Sequence, residues 1–174
     1  MKLAFAAAAV AAVVVASPAF AADGSTDGKI NWYGNVGYTE TDFGGGVDLG
    51  TVTGRIGARS THFGIEGEGA FGVTSKDVSG VSVKENDEYA LDAVAFLPIN
   101  GDSDVFIRAG YGRMDLKASA GGFSVSEGDN AWNAGIGAQT FMGKNGARLE
   151  YTYYDLSNGG GHVNAFSLSY VRKF

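Results

Sequence analysis

Beyond residue 30 this chain alternates, segment after segment, between apolar side chains and small or polar ones. A period of two belongs to extended strands with unlike faces and excludes amphipathic helices, whose apolar positions recur every three or four residues. The closing segment AFSLSYVRKF shows it plainly: Phe166, Leu168 and Tyr170 share one parity, Ala165, Ser167 and Ser169 the other, and Phe174 follows as a terminal aromatic. Ile30, Trp32, Gly34, Val36 and Tyr38 open the series against Asn31, Tyr33 and Asn35. The division recurs at about 48–59, 62–73, 87–97, 104–114, 130–141, 147–156 and 163–174, which predicts eight strands joined as successive hairpins.

The two faces differ in charge as well as in hydropathy. One parity collects Val52, Ile56, Phe63, Ile65, Leu91, Leu97, Ile107, Ile136, Leu149 and Leu168 with many aromatics, and no charge interrupts the set. The other carries Arg55, Arg59, Arg108 and Arg148 with Glu66, Glu68, Glu88, Asp92 and Glu150. A soluble sandwich would turn its apolar face inward and its charges to water. A small membrane barrel inverts this, and there a midplane Lys or Arg on the lipid face costs ~2–4 kcal/mol.

Three features favour the barrel. Lys2 precedes an apolar run from Leu3 to Ala16, and Ser17-Pro18-Ala19-Phe20-Ala21 supplies small residues for cleavage, so residues 1–21 read as an export signal and 22–174 as one domain. Phe174 suits a closing strand. Aromatics fall near strand ends in two groups, Tyr38, Phe71, Tyr89, Tyr111, Trp132, Tyr153 and Phe166 in one, Trp32, Phe63, Tyr170 and Phe174 in the other, as two interfacial belts require. The breaks at 60–61, 98–103 and 142–146 are short, whereas those at 40–47, 74–86, 115–129 and 157–162 are mostly longer and rich in Gly and Ser, which places the short turns on the periplasmic side.

Composition removes other classes. The chain contains no cysteine, so neither disulfides nor thiolate metal sites are available. Without the leader, 12 basic residues face 19 acidic ones, and no basic cluster could follow a phosphate backbone, so nucleic acid is not an expected partner. All 28 glycines lie beyond residue 23, many inside strands, where they favour curvature and close backbone approach.

GIEGEGAFGV at 64–73, AWNAGIGAQTF at 131–141 followed by RLEYTYYDL, and NAFSLSYVRKF together resemble the OmpA-type small outer-membrane β-barrel family over essentially the whole mature chain. The resemblance implies an all-β, closed antiparallel eight-stranded transmembrane barrel in a Gram-negative outer membrane. It implies recognition by the barrel-assembly machinery through Phe166, Leu168, Tyr170 and Phe174, contact with outer-membrane lipids and lipopolysaccharide, and a structural or adhesive role with an extracellular ligand met by the outer loops. Arg172 departs from the pattern, since family members more often carry an aromatic or apolar residue there.

An eight-stranded barrel is wide enough only for its own side chains. The nine charges Arg55, Arg59, Glu66, Glu68, Glu88, Asp92, Arg108, Arg148 and Glu150 are therefore expected to form a neutralising lumenal network. A two-residue turn at Ser60-Thr61 would set Arg55 against Glu66, Arg59 against His62 and Thr53 against Glu68, with Asp92 near Arg108. A narrow pore gated by exchange of the Arg55–Glu66 pair is the alternative. A lipid A-modifying enzyme is a third reading, but Asn164 stands where a serine nucleophile would be needed after His162, and no catalytic, cofactor or metal site is expected. His62 is expected to cap the Arg–Glu wall. The runs GGG at 44–46 and 159–161 lack the Lys and Ser/Thr of a phosphate cradle, and Glu40, Asp129 and Asp155 read as solvated acids rather than a calcium site.

Overall fold

The computed structural model describes residues 30–42, 48–74, 76–78, 81–120, 123–157 and 161–174; the expected leader at 1–21 and both GGG runs, apart from Gly161, lie outside these. The described residues form strands β1 (Asn31–Asp42), β2 (Asp48–Arg59), β3 (Phe63–Gly72), β4 (Lys76–Val78), β5 (Val81–Pro98), β6 (Ser103–Ala120), β7 (Phe123–Met142), β8 (Asn145–Leu156) and β9 (His162–Lys173). Every pairing is antiparallel. Eight strands close a barrel, with β3 pairing past the short β4 to β5 and β1 pairing with β9.

Closure has a measurable stagger. Following direct partners from Trp32 leads to Ala58, Ile65, Ala93, Ala109, Ala134, Tyr153 and Asn164, and returns to β1 at Asp42. One circuit thus climbs ten residues of β1. For eight strands spaced ~4.7 Å apart and rising ~3.3 Å per residue, that stagger tilts the strands by roughly 40° and gives a radius of about 8 Å, narrow enough to be filled by side chains.

The inversion is explicit in the exposures. Trp132, Leu168, Ile65 and Leu149 are each more than 60% exposed on the outer wall, while Arg148, Glu66, Glu150 and Arg108 are 2% exposed or less inside. The predicted apolar parity is the outer face throughout the barrel wall. The three short connections, at 60–62, 99–102 and 143–144, lie at one end, and Gly143, with φ at +65°, takes the left-handed backbone that the tight β7–β8 turn requires.

The opposite end departs from expectation. Residues 81–86, 115–120 and 123–129, read as loops, are strand: β5, β6 and β7 run 18, 18 and 20 residues against 10–12 in the other five staves. The ladder between β6 and β7 continues unbroken to Ala120 and Phe123, and that of β5 with β6 continues past an irregularity between Glu85 and Asp87. Beyond the rim these strands need no lipid-matched face, so Ser, Lys and Glu replace the oily residues and the segment passes for a loop. With β4 on the edge of β5, they form a flap on one side of the barrel.

Candidate functional site

The lumen is stacked in tiers. At the level of the short turns, Tyr33, Val94, Phe96, Phe106, Phe141 and Val171 form one buried apolar cluster. Tyr33 meets Phe96 edge-on at 6.2 Å, and Phe96 lies 6.0 Å from Phe106. Two glycines admit this tier: a Cβ at Gly57 would strike the Tyr33 ring, and one at Gly137 the Phe106 ring. Toward the other rim, Met114, Ala131, Tyr154, Leu156, Val163 and Ala165 form a second apolar cluster. The charged residues lie between the two.

Glu150 is the hub of that middle tier. Its carboxylate meets all three lumenal guanidiniums, Arg108 Nε at 2.6 Å, Arg148 Nη2 at 2.8 Å and Arg55 Nη2 at 3.3 Å. Glu66 binds Arg148 Nη1 at 2.5 Å and accepts from the Tyr33 hydroxyl at 2.5 Å. Glu68 takes Arg55 Nε and, at 2.8 Å, Arg108 Nη1, which also reaches Asp92 at 2.8 Å. Thr152 donates to Glu150 at 2.9 Å and accepts from Arg108 Nη2 at 3.2 Å. Each Arg thus bridges at least two acids. Arg148 also lies over the Phe106 ring at 3.9 Å, joining the ionic tier to the apolar one below. Between the ionic tier and the far rim, Thr39 shares hydrogen bonds with Thr53 at 2.9 Å and Ser167 at 2.8 Å.

Seven of the nine anticipated charges meet here: Arg55, Glu66, Glu68, Asp92, Arg108, Arg148 and Glu150. Arg59 does not join them. Arg59 turns to the near mouth, where it grips Asp104 with two N–H groups at 2.8 and 3.3 Å. Glu88 is buried beside the far apolar tier, opposite Met114 in register. The expected facing pairs are corrected by two residues: Arg55 lies opposite Glu68, Gly57 opposite Glu66, Thr53 opposite Ala70, and Arg59 opposite Gly64. The cause is the turn, which closes from Ser60 to Phe63, with Ser60 N donating to Phe63 O at 2.7 Å, rather than over two residues. His62 is consequently exposed in that turn and caps nothing. Asp92 does reach Arg108, diagonally across β5 and β6.

Sequence reasoning missed Asp104, Gln139 and Tyr33, although each lies on the charged parity and was legible there. On the outer wall, Asn164 accepts from the Tyr151 hydroxyl at 2.7 Å and His162 stacks on Tyr153 at 5.5 Å. Among the described residues no group of three His, Cys, Asp or Glu is placed to hold a metal ion. Phe166, Leu168, Tyr170 and Phe174 all face outward, and Phe174 seals the β1–β9 seam, its N–H donating to Trp32 O at 3.0 Å and its ring lying over Gly34.

The family model for the outer membrane protein beta-barrel domain matches residues 6–174. Among solved structures, the chain is similar to Ail, the attachment invasion locus protein of Yersinia pestis, crystallised in complex with the heparin analogue sucrose octasulfate (TM-score 0.62, 16% identity, 86% of this chain and 100% of that one). It is similar to Neisserial surface protein A (TM-score 0.63, 11% identity, 87% and 98%) and to the N-terminal β-barrel domain of Pseudomonas aeruginosa OprF (TM-score 0.60, 12% identity, 83% and 98%). No curated protein matches it by sequence.

Proposed function

We propose that this chain, which belongs to the outer membrane protein beta-barrel domain family and lies in the outer membrane, acts at the cell surface as an interaction module and not as a pore or an enzyme. The observation that carries this reading is the flap. β7 pairs with β8 only from Ala131 onward, so among the described residues no strand pairs with Phe123–Asp129 on the side away from β6. A strand edge held rigidly above a membrane is a template on which an extended segment of another protein can pair through its backbone. The barrel supplies the rigid base, and the leader, the outward-facing Phe166, Leu168, Tyr170 and Phe174, and the assembly machinery would deliver it there.

The chemistry of the rim selects among partners. Glu40, Asp42, Asp48, Asp87, Asp115, Asp129 and Asp155 surround it, with Arg113 the cation among the rim side chains described. A sulfated polyanion of the kind complexed by Ail is disfavoured on such a surface, and an extended, neutral or basic polypeptide is favoured. Val125→Pro, in the part of β7 that pairs with β6 but not with β8, should cut attachment of cells to polypeptide-coated surfaces several-fold while the folded barrel still migrates as a heat-modifiable band. Undiminished attachment would overturn the reading. A lumen with apolar tiers on both sides of its ion cluster should also give no channel events in planar bilayers above those of lipid alone.

A further inference from the structure

On the outer wall, at the end of the short turns, a shallow groove of about 290 Å³ crosses β7 and β8, and the surface role leaves it unused. Ile99, Leu149 and Leu168, each more than 60% exposed, stand along it, and the small side chains of Ala138, Thr140 and Ala147 line it between them. The register explains the depression. Across β9, β8 and β7 the outward residues stand in rows: Leu168, Leu149 and Ala138, then Tyr170, Ala147 and Thr140, then Arg172, Asn145 and Met142. Tyr170 reaches into the row nearer the turn, its hydroxyl donating to Asn145 Oδ1 at 2.5 Å, and so leaves Ala147 uncovered. Thr140 is held on the other side by the Ser103 hydroxyl at 3.0 Å.

The row nearest the turn is basic. Arg172, the residue that departs from the family's pattern, is exposed there on the outward parity, and Lys144 is exposed beside Asn145 in the β7–β8 turn, its carbonyl accepting the Lys173 N–H at 2.8 Å. Neither cation forms an ion pair among the described residues. Asp102, the acid of the described short turns, stands on the far side of the groove beyond Ser103. In a chain of formal charge −6, two cations at a membrane interface beside an apolar slot are complementary to a molecule with an anionic head and a hydrocarbon tail.

We propose that this groove binds an anionic phospholipid of the periplasmic leaflet, phosphatidylglycerol, with one acyl chain along Ala147 and Ala138 and the phosphodiester held by Arg172 and Lys144. An Arg fork matches two phosphate oxygens, and Asn145, whose Oδ1 already takes the Tyr170 hydroxyl, has amide N–H groups to add. Rows two residues apart are ~7 Å apart along a strand, so the path from Arg172 to Leu168 is about 13 Å, within the reach of a fatty-acyl chain. Phosphatidylcholine is disfavoured because its ammonium group offsets the attraction of the phosphate for the two cations. The site rests on the chain's place in the membrane and not on the flap, which lies at the other end of the barrel.

The test is native mass spectrometry of the folded, detergent-solubilised chain incubated with equal amounts of dioleoyl phosphatidylglycerol and dioleoyl phosphatidylcholine. One phosphatidylglycerol should stay bound, in roughly tenfold excess over phosphatidylcholine. Lys144→Gln combined with Arg172→Gln should bring the two lipids level. Ala147→Phe, which fills the groove, should lower retention of both lipids several-fold in a barrel that still migrates as a heat-modifiable band. Glycerophosphoglycerol, the same head group without acyl chains, should not displace the lipid even in large excess. Equal retention of the two lipids by the unaltered chain, a preference that survives the double substitution, undiminished retention by Ala147→Phe, or displacement by the free head group would overturn the assignment. If Ala147→Phe fails to fold, Ala138→Leu tests the groove in its place.

Discussion

The middle of the lumen and its two ends are filled on opposite principles. The middle holds Arg55, Arg108 and Arg148 against Glu66, Glu68, Asp92 and Glu150, every one buried, whereas the ends are apolar clusters built around Tyr33, Phe96 and Phe106 on one side and Met114, Tyr154 and Val163 on the other. Charges alone would draw water through a cylinder of this width, and apolar side chains alone would offer nothing to fix which strand meets which. The ionic tier supplies directional contacts that link β2, β3, β5, β6 and β8, and the apolar tiers keep solvent from dissolving them. A lumenal charge cluster is therefore not by itself a sign of conduction. What decides is whether the tiers above and below it are wet.

Breaking that division should produce graded effects on the unfolding midpoint of the folded barrel in denaturant. Arg148→Met strips two carboxylates of their shared partner and should cost about 3–5 kcal/mol, the penalty for orphaning a buried charge. Its sequence neighbour tests the other solvent: Leu149→Arg places a cation on the lipid face and should cost about 2–4 kcal/mol in a bilayer. Phe106→Ala, in the near apolar tier, should cost about 3 kcal/mol, at the low end for a buried aromatic because the Arg148 guanidinium over its ring can settle partly into the space. Tyr33→Phe removes one donor from Glu66 while keeping the ring and should cost about 1.5 kcal/mol. Arg113→Ala, whose exposed pair with Asp115 lies at the rim, should change the midpoint by less than about 0.5 kcal/mol. If Phe106→Ala proved as costly as Arg148→Met, the apolar tiers would be the principal source of stability and the ionic one secondary.

The two faces were legible in the sequence because parity survives errors of register. The β2–β3 hairpin is displaced by two residues from the expected pairing, yet an even displacement leaves Arg55, Glu66 and Glu68 all on the inner face. Pairing is more fragile. It depends on turn length, and nothing in Ser60-Thr61-His62 announces a turn that also enlists Phe63. The apolar tiers escaped notice because attention to charge on the inner parity passed over Val94, Phe96, Phe106, Met114 and Tyr154, which share it. The flap was illegible for a different reason: above the rim the strands no longer have to match lipid, so the oily half of the alternation, which marks every other strand, is not required there.

The central claim, ionised groups within and oily ones without, can be tested residue by residue along β8. The chain has no cysteine, so single-cysteine variants at positions 147 to 154 can each carry one nitroxide without background. In a lipid bilayer, relaxation by oxygen should be high at 147, 149, 151 and 153, and low at 148, 150, 152 and 154, with water-soluble nickel complexes reaching none of the inward four. Oxygen accessibility peaking at 148 and 150, or nickel reaching them freely, would contradict the account.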